Sequence, residues 1–293
     1  MTRVRVVYDM ETSDPDDVMT VCILATHPRV DLVAVTVTPG SFEQVGVIKH
    51  VLRLLVRDDV PVGSFRPESK PGAVSGFHDK WLGRSEPDEP DGLGHDVLAS
   101  ALRKHDGVTV LTGAPLKNLG ALLELHPDVV VPRWVAQGGF AGDSVVPEEH
   151  RLEKFAGRET CPTFNFNGDP KSALAMLSSP RVLRRVLVSK NVCHGVTYGP
   201  KVHAEMLSRK LTRGWELVRS GMDVYLRNRP EGKMFHDPMA AAVAVDESVC
   251  SFREVEVYRE KGDWGSRLSS GTRTSISVSV DINSAFSVLL ETN

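Results

Sequence analysis

Val4-Arg5-Val6-Val7-Tyr8-Asp9-Met10-Glu11-Thr12-Ser13-Asp14-Pro15-Asp16-Asp17 is an apolar run that leads straight into five carboxylates within nine residues. Its Val and Tyr content over residues 4–8 reads as a buried strand. Thr12 to Pro15 reads as a turn, and residues 18–25 have the length and spacing of a helix. Five negative charges so close together repel one another, so the fold must gain something from the arrangement. A hard cation is the simplest gain, because Ca²⁺ or Mg²⁺ takes several carboxylate oxygens converging from a rigid edge. The plainer reading is capping, with Ser13 or Asp14 at the N-cap and Asp16 and Asp17 in the first turn. Capping uses two or three of the acids and leaves Asp9 and Glu11, on the strand side, without a purpose. A metal or substrate site is therefore preferred.

Working outward, strand-like and helix-like segments alternate. Strands are expected at 4–8, 31–37, 60–63, 108–112, 133–137 and 186–189, and helices near 16–26, 43–56, 116–125, 171–177 and 239–245. This rhythm predicts an α/β fold: a mainly parallel, Rossmann-like open sheet flanked by helices, as one domain over 1–293. Ligands of such sheets sit outside the carboxyl ends of the strands, where the acidic run and Gly113 both fall. Residues 61–94 and 140–162 read as long loops. Near the C-terminus, 254–259 and 273–281 alternate as strands, with Ile276, Val278 and Val280 opposed to Ser275, Ser277 and Ser279, which predicts a small antiparallel hairpin.

The bulk numbers exclude several classes. With 35 basic against 38 acidic residues and a net charge of -3, the chain has no electrostatic footprint for a nucleic acid polymer. Cys22, Cys161, Cys193 and Cys250 are scattered without zinc-type or disulfide-type spacing, as in a cytoplasmic protein with reduced thiols. A strand beginning within the first residues leaves no room for a signal peptide, and no apolar run is long enough to span a membrane.

Two later stretches also carry polar groups at helix starts. Phe235-His236-Asp237-Pro238 precedes an Ala-rich helix, where Asp could serve only as a cap with Pro in the first turn. Thr163-Phe164-Asn165-Phe166-Asn167-Gly168-Asp169-Pro170 offers two Asn side chains able to bind hydroxyls, with Asp169 as an N-cap. Phe77, Trp81 and Trp134 read as packing residues, and His50, His95, His105 and His126 as surface or loop histidines. Lys201, Arg209, Lys210 and Arg213 read as one solvated helix face.

Taken together, these residues resemble the nucleoside hydrolases of the inosine-uridine preferring type, as a divergent member. The run from Asp9 to Asp17 is similar to the N-terminal acidic motif of that family. Val108 to Leu119 resembles its strand followed by Gly-Pro-Leu-Thr-Asn, and Gln137-Gly138-Gly139 its Met-Gly-Gly turn. Thr163-Phe164-Asn165 with Asp169-Pro170 resembles its Glu-Phe-Asn and Asp-Pro pair, and His236-Asp237-Pro238 matches its late His-Asp-Pro. The matches follow the family's order over nearly the whole chain.

The resemblance implies the fold above and a metal-dependent hydrolase that cleaves the N-glycosidic bond of a nucleoside or related ribosyl compound, by attack of an activated water on the anomeric carbon. It implies Ca²⁺, with Mg²⁺ second, held by Glu11 or Asp14, Asp17, the Gly113 carbonyl and Asp237. Glu11 or Asp14 would be the general base, and the choice between them stays open. His236 would assist the leaving base, and Asp16, Ser41, His78, Thr163 and Asn165 would contact substrate. A small-molecule nucleoside-like substrate, no membrane and a homo-oligomer are implied as well.

The departures bear on substrate. Glu11 replaces the second Asp of the motif, and one residue is added before Asp16-Asp17. Ser41 replaces an Asn, and Thr163 replaces the Glu expected at the ribose 5′ hydroxyl. An extra loop over 144–162 carries Arg151, Lys154 and Arg158 beside that end, so a 5′ substituent, phosphate included, becomes a candidate. A catalytically impaired ribosyl-binding protein of the same fold is the alternative. A metal-dependent phosphohydrolase fits less well, since no nucleophilic Asp with a paired Lys is apparent.

Overall fold

The computed structural model of the protein describes residues 3–69 and 74–292. Along the chain the elements are β1 (Val4–Met10), α1 (Pro15–Thr26), β2 (Val30–Val37), α2 (Phe42–Leu54), β3 (Val62–Ser64), α3 (Phe77–Leu82), β4 (Gly92–Leu93) and α4 (Gly94–Lys104). There follow β5 (Thr109–Thr112), α5 (Lys117–Leu125), β6 (Arg133–Gln137), β7 (Thr160–Cys161), α6 (Phe164–Gly168), α7 (Pro170–Ser178), β8 (Arg185–Val188) and α8 (Lys190–Cys193). The last third holds β9 (Thr197–Tyr198), α9 (Pro200–Met206), α10 (Arg213–Asn228), β10 (Lys233–Met234), α11 (His236–Val245), β11 (Cys250–Glu260), β12 (Asp263–Leu268), β13 (Thr274–Val280) and α12 (Ile282–Leu289).

One large sheet runs β4-β3-β2-β1-β5-β6-β8-β13-β11-β12-β7. It is parallel from β4 to β13, and antiparallel from there to β7. Helices cover both faces, so the central strands bury both sides and read as continuous apolar runs. In β1 the pleat sends Val6, Tyr8 and Met10 into one core and Val7 into the other. On the first face α11 is buried from Asp237 to Val245; its alanines let it lie between the sheet, α1 and α12. α10 crosses α1 so closely that a Cβ at Gly214 would stand 1.8 Å from the Cys22 carbonyl oxygen. Among the described residues no helix is long and apolar enough to cross a membrane.

The α/β sheet and the C-terminal antiparallel pair are as expected, with three differences. The pair β11–β13 continues the main sheet, because β13 also joins β8 in parallel, and a further strand, β12, lines the other edge of β11. The stretch at 61–94 holds β3, α3 and β4, with 70–73 outside the described residues. Lys201 and Arg213 belong to different helices: Thr212 caps α10 by accepting from the Trp215 amide at 3.3 Å, which starts a new helix there.

Candidate active site

β1 delivers the acidic run to the carboxyl edge of the sheet, and the turn before α1 spreads it. Asp9 still follows the strand pleat and points to the α5 side. There its Oδ1 accepts from Thr36 Oγ1 at 2.6 Å and Asn118 Nδ2 at 2.8 Å, and burial lifts its pKa to about 7. The other four acids, Glu11, Asp14, Asp16 and Asp17, line a cavity of about 320 Å³. Ser13, Gly113, Gln137, Phe164, Asn165, His236 and Asp237 complete its wall.

Asp237 enters from the first turn of α11 and is buried. It accepts from the Tyr8 hydroxyl at 2.8 Å, and its carboxyl lies against that of Asp17. A Cβ at position 113 would lie 2.3 Å from Asp237 Oδ2, so the glycine makes room for this carboxylate. The Gly113 amide donates to the Asp9 carbonyl at 2.8 Å, and the Glu11 amide to Asp17 Oδ1 at 3.2 Å. Burial, and then the neighbouring acids, raise the pKa values of both Asp17 and Asp237. Two carboxylates in contact and out of water need a proton or a cation between them. Glu11, also raised by burial and by Asp14 and Asp16, accepts from Ser13 Oγ at 2.7 Å.

Asp16 serves a different purpose. Its Oδ2 accepts from the His236 and Asp237 amides at 2.9 and 3.1 Å, tying the start of α11 to the start of α1. Its Oδ1 pairs at 2.9 Å with the buried Lys233 ammonium, which also lies 2.9 Å from Asp14 Oδ1 and donates to the Met234 carbonyl at 2.9 Å. Burial lowers the Lys233 pKa, but Asp16 and Asp14 more than offset this, so it stays charged. His236 Nε2 is buried without a hydrogen-bond partner, and its ring stacks on His194 with centroids 4.7 Å apart. Burial and the Lys233 charge push its pKa down to about 4, so the imidazole is neutral at pH 7. Asn165 Nδ2 donates to the Gln137 carbonyl and Oε1 at 3.0 and 2.7 Å, which fixes its amide over the cavity.

The family model described as inosine-uridine preferring nucleoside hydrolase matches residues 6–287. The chain belongs to that family. It is 28% identical over 274 residues to an uncharacterized protein of Aquifex aeolicus, covering 89% of this chain and 90% of that one. It is 24% identical to the pyrimidine-specific ribonucleoside hydrolase RihA of Citrobacter koseri, over 81% of this chain and 78% of the relative. Among solved structures, a plant nucleoside hydrolase superposes with a TM-score of 0.72 at 20% identity over 98% of both chains. The purine-preferring ribonucleoside hydrolase from Gardnerella vaginalis gives 0.71 at 16% identity, over 97% and 96%.

Within this nucleoside hydrolase fold the site residues named from sequence divide into two groups. Glu11, Asp14, Asp16, Asp17, Gly113, Asn165, His236 and Asp237 share the cavity wall. Ser41, His78 and Thr163 stand outside it. Ser41 caps α2 in a reciprocal box with Gln44, whose Nε2 donates to Thr12 Oγ1 at 3.1 Å. His78 Nε2 lies 3.0 Å from the Thr12 carbonyl oxygen, with the ring beside Phe77 and Trp81. Thr163 opens α6 with its hydroxyl buried and unpartnered.

Glu11, Asp17 and Asp237 with the Gly113 carbonyl form an oxygen-rich set that could hold a hard divalent ion, and the abutting Asp17 and Asp237 carboxyls fit such a charge. Asp14 already faces Lys233. Lys233, Tyr8 and His194 were not singled out from sequence. A buried lysine three residues before His236 carries no periodicity, and only the fold brings it to acids at the opposite end of the chain.

Proposed function

We propose that this family member is an N-ribohydrolase that uses a divalent cation, Ca²⁺ first and Mg²⁺ second, to cleave the N-glycosidic bond of a ribonucleoside or close relative. The observation that carries the reading is the convergence of Glu11, Asp16 and Asp17 with His236, Asp237 and Asn165 on one cavity. When bound, a cation held by Glu11, Asp17, Asp237 and the Gly113 carbonyl supplies fixed positive charge that makes a water more acidic and gathers vicinal hydroxyls. Glu11 takes the proton of the attacking water; burial, and then Asp14 and Asp16, raise its pKa and make it a stronger base than a free carboxylate. Lys233 favours Glu11 over Asp14 for this role, because it already compensates Asp14. Asp16 and Asn165 orient the sugar hydroxyls, and the carboxylate floor stabilises the oxocarbenium-like positive charge. Neutral His236 donates a hydrogen bond to the departing base. The names of the relatives point to pyrimidines in one case and purines in another, so the base is left open.

The test is reducing-sugar release from purine and pyrimidine ribonucleosides in saturating Ca²⁺. Wild type should release sugar, and Glu11→Gln should lower kcat by roughly 10²- to 10⁴-fold. Absence of release from every ribonucleoside, with ribose still bound, would leave the alternative of a ribosyl-binding protein without turnover. The Lys233 pairing favours that second reading, since a resident ammonium weakens the hold of the acids on a cation.

A further inference from the structure

Five acids line the cavity, and a cluster of cations stands against its His236 wall. Lys154, in the extra loop, donates to His194 Nδ1 at 2.6 Å, and Lys190 at the start of α8 donates to the Pro162 carbonyl at 2.9 Å. Both ammonium groups lie over the Phe155 ring, 5.1 and 5.8 Å from its centroid. His194 joins them to the cavity by stacking on His236. The partners of the two lysines are an imidazole and a peptide carbonyl, and among the described residues no carboxylate pairs with either. Beside Pro162, the Thr163 hydroxyl is buried, in a residue only 4% exposed, and it has no hydrogen-bond partner.

We propose that Lys154, Lys190 and His194 form a subsite for the phosphate of a ribosyl phosphomonoester, whose sugar lies over the acids of the cavity. The proposal rests on reading the cavity as a ribosyl site. Charge segregation sets the orientation: a phosphate is repelled by Glu11, Asp14, Asp16, Asp17 and Asp237, and the cation cluster is the place for it. Burial first, and then the neighbouring His236 ring and the Lys154, Lys190 and Lys233 ammonium groups, hold the His194 pKa at about 3. An anion there would relieve that repulsion and allow the imidazole to become a second donor. Arg151 is not part of the cluster, because its guanidinium donates to the Val146 and Asp143 carbonyls within its own loop. Arg158 stands exposed.

The test is calorimetric titration of the full chain, in Ca²⁺, with ribose, ribose 5-phosphate and inorganic phosphate. Ribose 5-phosphate should bind at least about tenfold more tightly than ribose, a factor expected from one or two charge-assisted hydrogen bonds. Lys154→Met with Lys190→Met should erase that preference, and salt should weaken the phosphorylated sugar far more than ribose. Equal affinities, a preference that survives in the double variant, or phosphate binding that does not compete with ribose 5-phosphate would each overturn the subsite. Binding is read without turnover. Sugar release from nucleosides with no phosphate preference would sink the subsite and leave the hydrolase reading; a phosphate preference without sugar release would do the reverse.

Discussion

At the scale of residues, Lys233 is the feature that sets this site apart from a simple acidic pocket. Its side chain is 7% exposed and bridges Asp16, itself 3% exposed, to the half-exposed Asp14. Removing one partner of a buried pair leaves an uncompensated charge, which costs roughly 3 kcal/mol at a site of this kind. Lys233→Met should therefore lose about that much unfolding free energy in chelator, by urea denaturation, and bind Ca²⁺ more tightly than wild type. A variant as stable as wild type with unchanged Ca²⁺ affinity would show that the ammonium does not balance these acids. Five acids were legible in the sequence as one cluster, yet only four face the cavity. The strand pleat, a period of two, carries Asp9 to the opposite face, where Asn118 receives it. Whether a turn residue resumes that alternation is decided by the turn, which is why Glu11 and Asp14 could not be separated from sequence.

At the scale of elements, the parallel core was legible because strands buried on both faces are unbroken apolar runs, and each of β1, β2, β5, β6 and β8 was found within a residue or two of its place. α10 and β12 escaped notice. In α10 the buried side chains are sparse, with Trp215, Val218 and Met222 set among charges, and β12, folded back on β11 with Glu260 opposite Asp263, holds Gly265, Ser266 and Arg267 and so shows no apolar run. Among the serines set opposite Ile276 and Val278 in β13, Ser277 is fully buried and its hydroxyl accepts from the Ser189 amide at 2.9 Å, at the start of α8. Element ends also carry pH sensitivity. His27 closes α1, its Nε2 2.8 Å from the Val288 carbonyl oxygen of α12 and its Nδ1 accepting from the Arg29 amide at 3.1 Å. That geometry needs the neutral imidazole with its proton on Nε2, and burial lowers the pKa. The unfolded chain then binds more protons below the ordinary value of about 6.5, so stability falls as pH falls through that value. His27→Gln should make unfolding free energy fall less between pH 7.5 and 5.5 than it does in wild type; equal losses would place the sensitivity in other histidines.

At the scale of the whole molecule, the site is assembled from segments that unfold apart. Glu11 and Asp17 come from the β1–α1 turn, Gly113 from the end of β5, and Asp237 from α11, whose first amides are tied back to Asp16. The order of the motifs in the sequence placed these pieces at the carboxyl edge of one sheet, but not the tie between α1 and α11, which depends on packing across the core. An ion held by all four groups, as proposed above, would bind the native state and find nothing equivalent in the unfolded chain. Its binding free energy therefore adds to global stability, by about 2.7 kcal/mol at a concentration 100 times Kd. Thermal unfolding should accordingly shift upward by several degrees with excess Ca²⁺ over chelator, as a single transition. Asp237→Asn keeps an acceptor for the Tyr8 hydroxyl and removes the charge that abuts Asp17, so this variant should fold, lose most of the Ca²⁺-dependent rise, and be less destabilised than wild type when the ion is stripped. An equal rise in the variant would move the ion away from Asp237; a rise confined to a separate early transition would mean that it steadies one local segment and does not clasp α1 to α11.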